Sequence, residues 1–306
     1  MLPVLLRQSN SRIRGLSILL MRYLTALLLI FATLGPAQSE DGCGDVCVDA
    51  VEGEEGIELY LVNPYPYPVT ASLYARTRNL RAHGGNPVTV TLGGNSRKRA
   101  LLLNRRDRDG PYDYRYWYDW TFGRQDADHD DSLVYRPPWR AGERFRVMQG
   151  FNGRFSHNGR ERYAVDFDMP VGTPVHAARG GTVVDLEVSH DEGGWDDKYY
   201  ETANYIVILH DDGTTGEYYH LKHRGAAVEA GDRVRAGDRI GRSGNTGHTT
   251  TPHLHFAVYR ADTWGRTQSV PFLLGTDRGI VKEPKQWQRY GISESGSSTA
   301  DASGSE

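Results

Sequence analysis

Thr251-Pro252-His253-Leu254-His255-Phe256-Ala257-Val258-Tyr259 is the stretch that decides how the second half of this chain is read. As a strand it places His253 and His255 on one face and Leu254, Phe256 and Val258 on the other. A helix would splay the two histidines, because residues two apart on a helix diverge. Imidazoles held side by side on a stiff strand can both bind a metal, or one can bind while its neighbour moves a proton. A surface pair with no task is the plain alternative. Two other segments weigh against it. Phe155-Ser156-His157-Asn158-Gly159 precedes Tyr163-Ala164-Val165-Asp166-Phe167-Asp168-Met169-Pro170, whose period of two puts Asp166 and Asp168 on one face. Ile206-Val207-Ile208-Leu209-His210 leads through a hairpin-like Asp211-Asp212-Gly213 to Tyr218-Tyr219-His220-Leu221.

Composition bounds the rest. With 306 residues, 38% hydrophobic and 25% charged, the chain has room for one large or two modest domains. Its net charge of −3 argues against a nucleic-acid footprint or a polybasic membrane patch. The 35 Gly and 18 Tyr favour turns and strands, and no segment sustains an apolar period of 3.6. Met21-Arg22-Tyr23 opens an apolar run over 24–34 that is short for a bilayer span and ends in Ala37-Gln38-Ser39, a small-x-small pattern. Residues 1–39 are therefore expected to be a signal peptide cleaved after Ser39, with Met21 an alternative start and an uncleaved anchor the competing reading. No stable membrane insertion is expected after cleavage. The product would be periplasmic or secreted. The two cysteines, Cys43 and Cys47, are expected to pair in that oxidising compartment.

Residues 40–125 read as a β module. Its run over 112–122 carries aromatics at every even position, the pattern of a sheet's core face, with a sugar-stacking platform as the alternative. Residues 126–139, acidic at first and ending near Pro137-Pro138, read as a linker. A second strand-rich domain is expected over 140–290, and the Ser/Gly/acid-rich 291–306 is expected to be a disordered tail.

Across 145–275 the chain resembles the lysostaphin-type (LytM-like) zinc metalloendopeptidases. Four blocks carry the likeness in the family's order: YAVDFDMPVGTPVHAARGGTVV, EYYHLKH, AGDRVRAGDRIGRSGNTG and PHLHFAVY. The expected fold is all-β: the first module β-sandwich-like by its strand pattern, followed by the compact, Gly-rich antiparallel β metallopeptidase domain that the resemblance implies. The resemblance also implies one Zn2+ and cleavage of peptide bonds in peptidoglycan cross-links or stem peptides. By motif position Asp166 and His255 are implied metal ligands, and His220 and His253 implied catalytic residues. The family's upstream His commonly lies four residues before the Asp, where this chain has Arg162. The nearest upstream His is His157, nine residues before, so 158–162 reads as an insertion that loops out and leaves His157 the third ligand. Two imidazoles and one carboxylate leave a fourth position for water, the open arrangement of a catalytic site.

Asp168 competes with Asp166 for the metal. His176, His190, His210, His223 and His248 lack a partner pattern, and His83 and His129 lie outside the second domain. Gly244-Asn245-Thr246-Gly247 reads as a tight turn rather than a phosphate cradle. Two other readings stand beside the enzyme. One is a catalytically inactive module of the same fold that binds peptidoglycan or activates a hydrolase. The other is a lipoyl or phospho-histidine carrier, which export and the lack of a hairpin-tip Lys argue against.

Overall fold

The computed structural model describes residues 11–13, 43–53 and 56–292. The expected leader therefore lies outside the described residues apart from 11–13, and so does the expected tail beyond residue 292. A disulfide joins Cys43 to Cys47. The described residues hold strands, turns and two 3₁₀ turns, with no α-helix among them. No helix of the described residues is long and apolar enough to cross a membrane.

The first module comprises β1 (Cys47–Glu52), β2 (Ile57–Asn63), β3 (Val69–Arg78), β4 (Leu80–His83), β5 (Val88–Leu92), β6 (Ser96–Arg105) and β7 (Asp113–Phe122). They form two four-stranded sheets. One runs β1-β2-β6-β4; the other runs β7-β3-β5 with the short strand Ser11–Ile13 on the outer edge of β7. Alternation along β7 buries Tyr114, Tyr116, Tyr118, Trp120 and Phe122 against Leu59, Leu61, Leu101 and Leu103 of the facing sheet. The aromatic stripe is thus a core face, and each large ring buried there contributes about 1.5–3 kcal/mol.

The second domain is built on β8 (Arg144–Gln149), β9 (Val165–Asp168), β10 (Gly181–Glu187), β11 (Tyr205–Leu209), β12 (Thr215–Tyr219), β13 (Arg233–Val234), β14 (Leu254–Ala261), β15 (Thr267–Val270) and β16 (Arg289–Gly291). These make one nine-stranded sheet in the order β13-β10-β11-β12-β14-β9-β8-β16, with β15 also paired to β14. One face is apolar: Val165, Phe167, Ile206, Ile208, Tyr218, Leu254, Phe256 and Val258 share a single core. The other face carries a row of directly opposed residues, one per strand: Tyr205, Tyr219, His255, Asp166 and Gln149. Opposed residues of an antiparallel ladder share a face, so the pairing register itself assembles that row.

The first module rests on the same face as this row, toward β10–β12. Val184, Tyr205 and Val207 are buried in the module's core. Thr89 Oγ1 donates to the Thr263 carbonyl at 2.6 Å, and the Arg124 N–H donates to the Gly213 carbonyl at 3.1 Å.

Two boundaries differ from expectation. Residues 126–139 are not a free linker: Tyr135 and Trp139 are wholly buried in the second domain's core, and Val134–Tyr135 pairs in parallel with Leu273–Thr276. The acid and proline content of the segment masked two large aromatics that belong inside. At the other end Gly291 is the last residue of β16, paired with Arg144, rather than the start of the tail. Trp139→Ala is expected to cost about 3–5 kcal/mol in denaturant unfolding, as other large-to-small core changes do, whereas Trp264→Ala at an exposed site is expected to cost less than about 1 kcal/mol.

Candidate metal centre

Strand register brings the first two groups together. Asp166 on β9 lies directly opposite His255 on β14, and Asp166 Oδ1 is 2.8 Å from His255 Nδ1. The third group comes from the loop after β8. Gln149 holds that loop: its Oε1 accepts from the N–H of Phe155 and Ser156, and its Nε2 donates to Ser156 Oγ at 2.7 Å and Asp166 Oδ2 at 3.2 Å. His157, next in the chain, donates from Nδ1 to the Gly150 carbonyl at 3.0 Å. Its Nε2 then faces Asp166 Oδ2 at 3.2 Å. Within 158–162 the chain makes the 3₁₀ turn Gly159–Glu161 before entering β9, which accommodates the long spacing between His157 and Asp166.

One donor atom from each of His157, Asp166 and His255 lies within 4.8 Å of the others, and all three residues are buried. Two imidazoles and a carboxylate suit a zinc ion with one position left open. His157 Nε2 supplies a test of that fit. It is buried and has no hydrogen-bond partner of proper geometry, an arrangement that costs free energy unless something else meets the lone pair. Asp168 is held elsewhere, by Arg146 at 2.8 Å, and is not in the cluster.

Burial alone would push the Asp166 carboxyl up, but the adjoining His157 and His253 outweigh it and hold the group well below the usual carboxylate range. Burial works against a charged His255 too. The hydrogen bond to Asp166 and the nearby Glu161 carboxylate prevail, and its pKa is raised to about 9.

His220 and His253 stand side by side over the cluster, ring centroids 4.5 Å apart. Burial, reinforced by each other's proximity for His220, lowers the pKa of both, so both are neutral at pH 7. His220 Nδ1 donates to the Thr246 carbonyl and His253 Nδ1 to the Thr251 carbonyl, each at 2.7 Å. That fixes the tautomer and leaves each Nε2 as an acceptor. His220 adopts φ 63°, a left-handed conformation of the kind that concentrates at functional sites. Asn204 and Thr246 brace it: the Leu221 N–H donates to the Asn204 carbonyl, and Asn204 Nδ2 and Thr246 Oγ1 both donate to the Leu221 carbonyl. Gly247, at φ +81°, lets the turn after Thr246 close against Ala203, where a Cβ would lie 2.5 Å from another Cβ.

Asp166, His220 and His253 open on a cleft of about 360 Å3, and among the described residues none of the first module lines it. Phe155, Trp195 and His248 form an aromatic wall, with the Trp195 ring tilted against His248 at a centroid distance of 4.4 Å. The sequence reading gave His248 no partner and passed over Gln149, Glu161 and Tyr259. Tyr259 shares the His255 face of β14 at period two, the one signal that could have found it.

Asp166→Ala and His255→Ala are each expected to abolish stoichiometric zinc in elemental analysis, with Asp168→Ala retaining it. Because zinc must displace the proton that His255 holds up to about pH 9, zinc affinity is expected to rise about tenfold per pH unit from pH 7 and to level off above pH 9. A flat affinity profile in chelator competition would contradict this assignment.

Known proteins share this site's chain segment. Residues 160–268 match the description Peptidase family M23, a span that starts just after His157. Glycyl-glycine endopeptidase ALE-1 of Staphylococcus capitis is 45% identical over 100 residues, 32% of this chain and 25% of that protein. Peptidoglycan DD-endopeptidase ShyA of Vibrio cholerae is 33% identical over 176 residues, 56% of this chain and 37% of that protein. The chain thus spans well under half the length of these relatives. The solved catalytic domain of the antimicrobial peptidase lysostaphin from Staphylococcus simulans is 30% identical, covering 42% of this chain and 87% of that domain, with a TM-score of 0.30. The segment that carries Asp166, His220, His253 and His255 is thus a peptidase family M23 domain.

Proposed function

We propose that this protein is an exported zinc metalloendopeptidase, periplasmic or secreted, that hydrolyses peptide bonds in the cross-links or stem peptides of bacterial peptidoglycan. The observation that carries this reading is the placement of two neutral imidazoles, each with Nε2 free, beside a three-donor metal cluster in an open cleft. The relatives named as glycyl-glycine and peptidoglycan DD-endopeptidases supply the substrate class. The apolar run after Met21 and the Cys43–Cys47 disulfide accord with export.

His157, Asp166 and His255 are the residues that would hold the zinc. A zinc ion bound there supplies Lewis acidity toward a carbonyl oxygen and makes water a better nucleophile at neutral pH. The chain's own residues manage the protons. One Nε2 of the His220/His253 pair accepts the proton that water gives up as its oxygen attacks the scissile carbonyl carbon. That proton passes to the amine nitrogen as the C–N bond breaks. While it holds that proton, the imidazolium stabilises the charge that develops on the carbonyl oxygen, and the other imidazole, its Nε2 an acceptor, orients the attacking water through the second O–H. The first module acts as an accessory: it holds the β10–β12 side of the sheet and leaves the cleft open.

Mass spectrometry of purified peptidoglycan digested with the protein tests the reading. New amino termini in the peptide portion, lost on adding a chelator and restored by zinc, are expected; a digest unchanged by the chelator would contradict it. His220→Ala and His253→Ala are expected to lower turnover about a hundredfold or more while zinc content stays at the wild-type level.

A further inference from the structure

Glu161 is a buried acid to which the chemistry above assigns no task. It lies in the 3₁₀ turn of the long His157–Asp166 connection, 5% exposed, beside the fully buried Ala164. Its Oε2 accepts a hydrogen bond from Tyr259 Oη. The same Tyr259 Oη lies 3.3 Å from His255 Nε2, and Glu161 Oε2 lies 3.7 Å from that nitrogen. Among the described residues, the ion-pair partner of Glu161 is His255, and its second oxygen, Oε1, has no hydrogen-bond partner. Burying a carboxylate on such terms is unfavourable unless it does something for a neighbour.

The geometry points to Glu161 as a positioning residue that acts through Tyr259 to set the tautomer and orientation of His255. His255 can offer Nδ1 to a metal beside Asp166 only if its proton sits on Nε2. A proton on Nε2 needs an acceptor, and Tyr259 Oη is that acceptor because its own hydrogen is committed to Glu161. The donors therefore run in one direction, from His255 Nε2–H to Tyr259 Oη–H to Glu161 Oε2. Without Glu161 the Tyr259 hydroxyl is free to turn its hydrogen toward His255 Nε2, which in the neutral imidazole favours the tautomer whose proton lies on Nδ1. Outer groups that orient a metal-bound imidazole in this way typically carry 10–100-fold in metal affinity. The connection that departs from the common His–Asp spacing is thus also the element that delivers the acid.

This inference rests on the metal-site reading, and zinc affinity of the full chain by chelator competition separates the two. Wild type failing to bind zinc would defeat the site reading itself. If wild type binds, Tyr259→Phe, which keeps the ring and removes only the hydroxyl, and Glu161→Gln are each expected to weaken zinc affinity about 10–100-fold on the plateau above pH 9, where loss of a carboxylate beside His255 no longer eases its deprotonation. The metal-free melting temperature of both is expected to stay near that of wild type. Glu217→Gln serves as the comparison, since that buried acid on the same face bonds to Thr215 and Tyr219 rather than to Tyr259. Folded Glu161→Gln and Tyr259→Phe proteins that bind zinc within twofold of wild type would overturn the proposal. So would an equal loss in Glu217→Gln, which would trace the effect to general negative charge.

Discussion

In an antiparallel ladder each residue faces its partner across the strands, and the β9–β14 register sets Asp166 against His255. The site's other groups are arranged around that pair. Gln149 continues the row on β8, binds Asp166 and clamps the loop that carries His157. His253, two residues along β14, falls on the same face, and the hairpin of β11 and β12 ends where His220 can lie beside it. A slip of one residue would turn Asp166 and His255 into the apolar core and bring Phe167 and Phe256 out. The hydrophobic face therefore protects the arrangement of the polar face. Val165, Phe167, Leu254 and Phe256, all fully buried, make any other register costly.

Electrostatics divide the histidines into two kinds. His255 sits between two carboxylates and is drawn toward the charged form, as suits a position that exchanges a proton for a metal ion. His220 and His253 lean on backbone carbonyls and are drawn toward the neutral form, as suits a group that must accept a proton. His157 also leans on a backbone carbonyl through Nδ1, so what sets it with His255 rather than with His220 and His253 is its place beside Asp166, its Nε2 3.2 Å from Oδ2.

Much of this was legible in the sequence, where a period of two governs. Asp166, His253 and His255 are readable because each alternates with large apolar residues, and the aromatic face of β7 is readable for the same reason. His157 could be reached only by supposing an extra turn, because no periodicity crosses 158–162. Gln149, Glu161 and Tyr259 escaped because their roles come from contacts between segments far apart in the chain, such as Tyr259 with Glu161. Asp168 shows the limit of pattern: the pleat puts it on the face of Asp166, and only Arg146 on the neighbouring strand draws it away. The segment holding Tyr135 and Trp139 was misjudged on composition, since a run of acids and prolines says little about two aromatics placed among them.

X-ray diffraction from crystals of the zinc-loaded protein, collected on both sides of the zinc absorption edge, tests the central claim most directly. The account expects one strong anomalous peak within about 2.0–2.2 Å of His157 Nε2, His255 Nδ1 and an Asp166 oxygen. No peak there, or one held by Asp168 or by His220 and His253 instead, would contradict it.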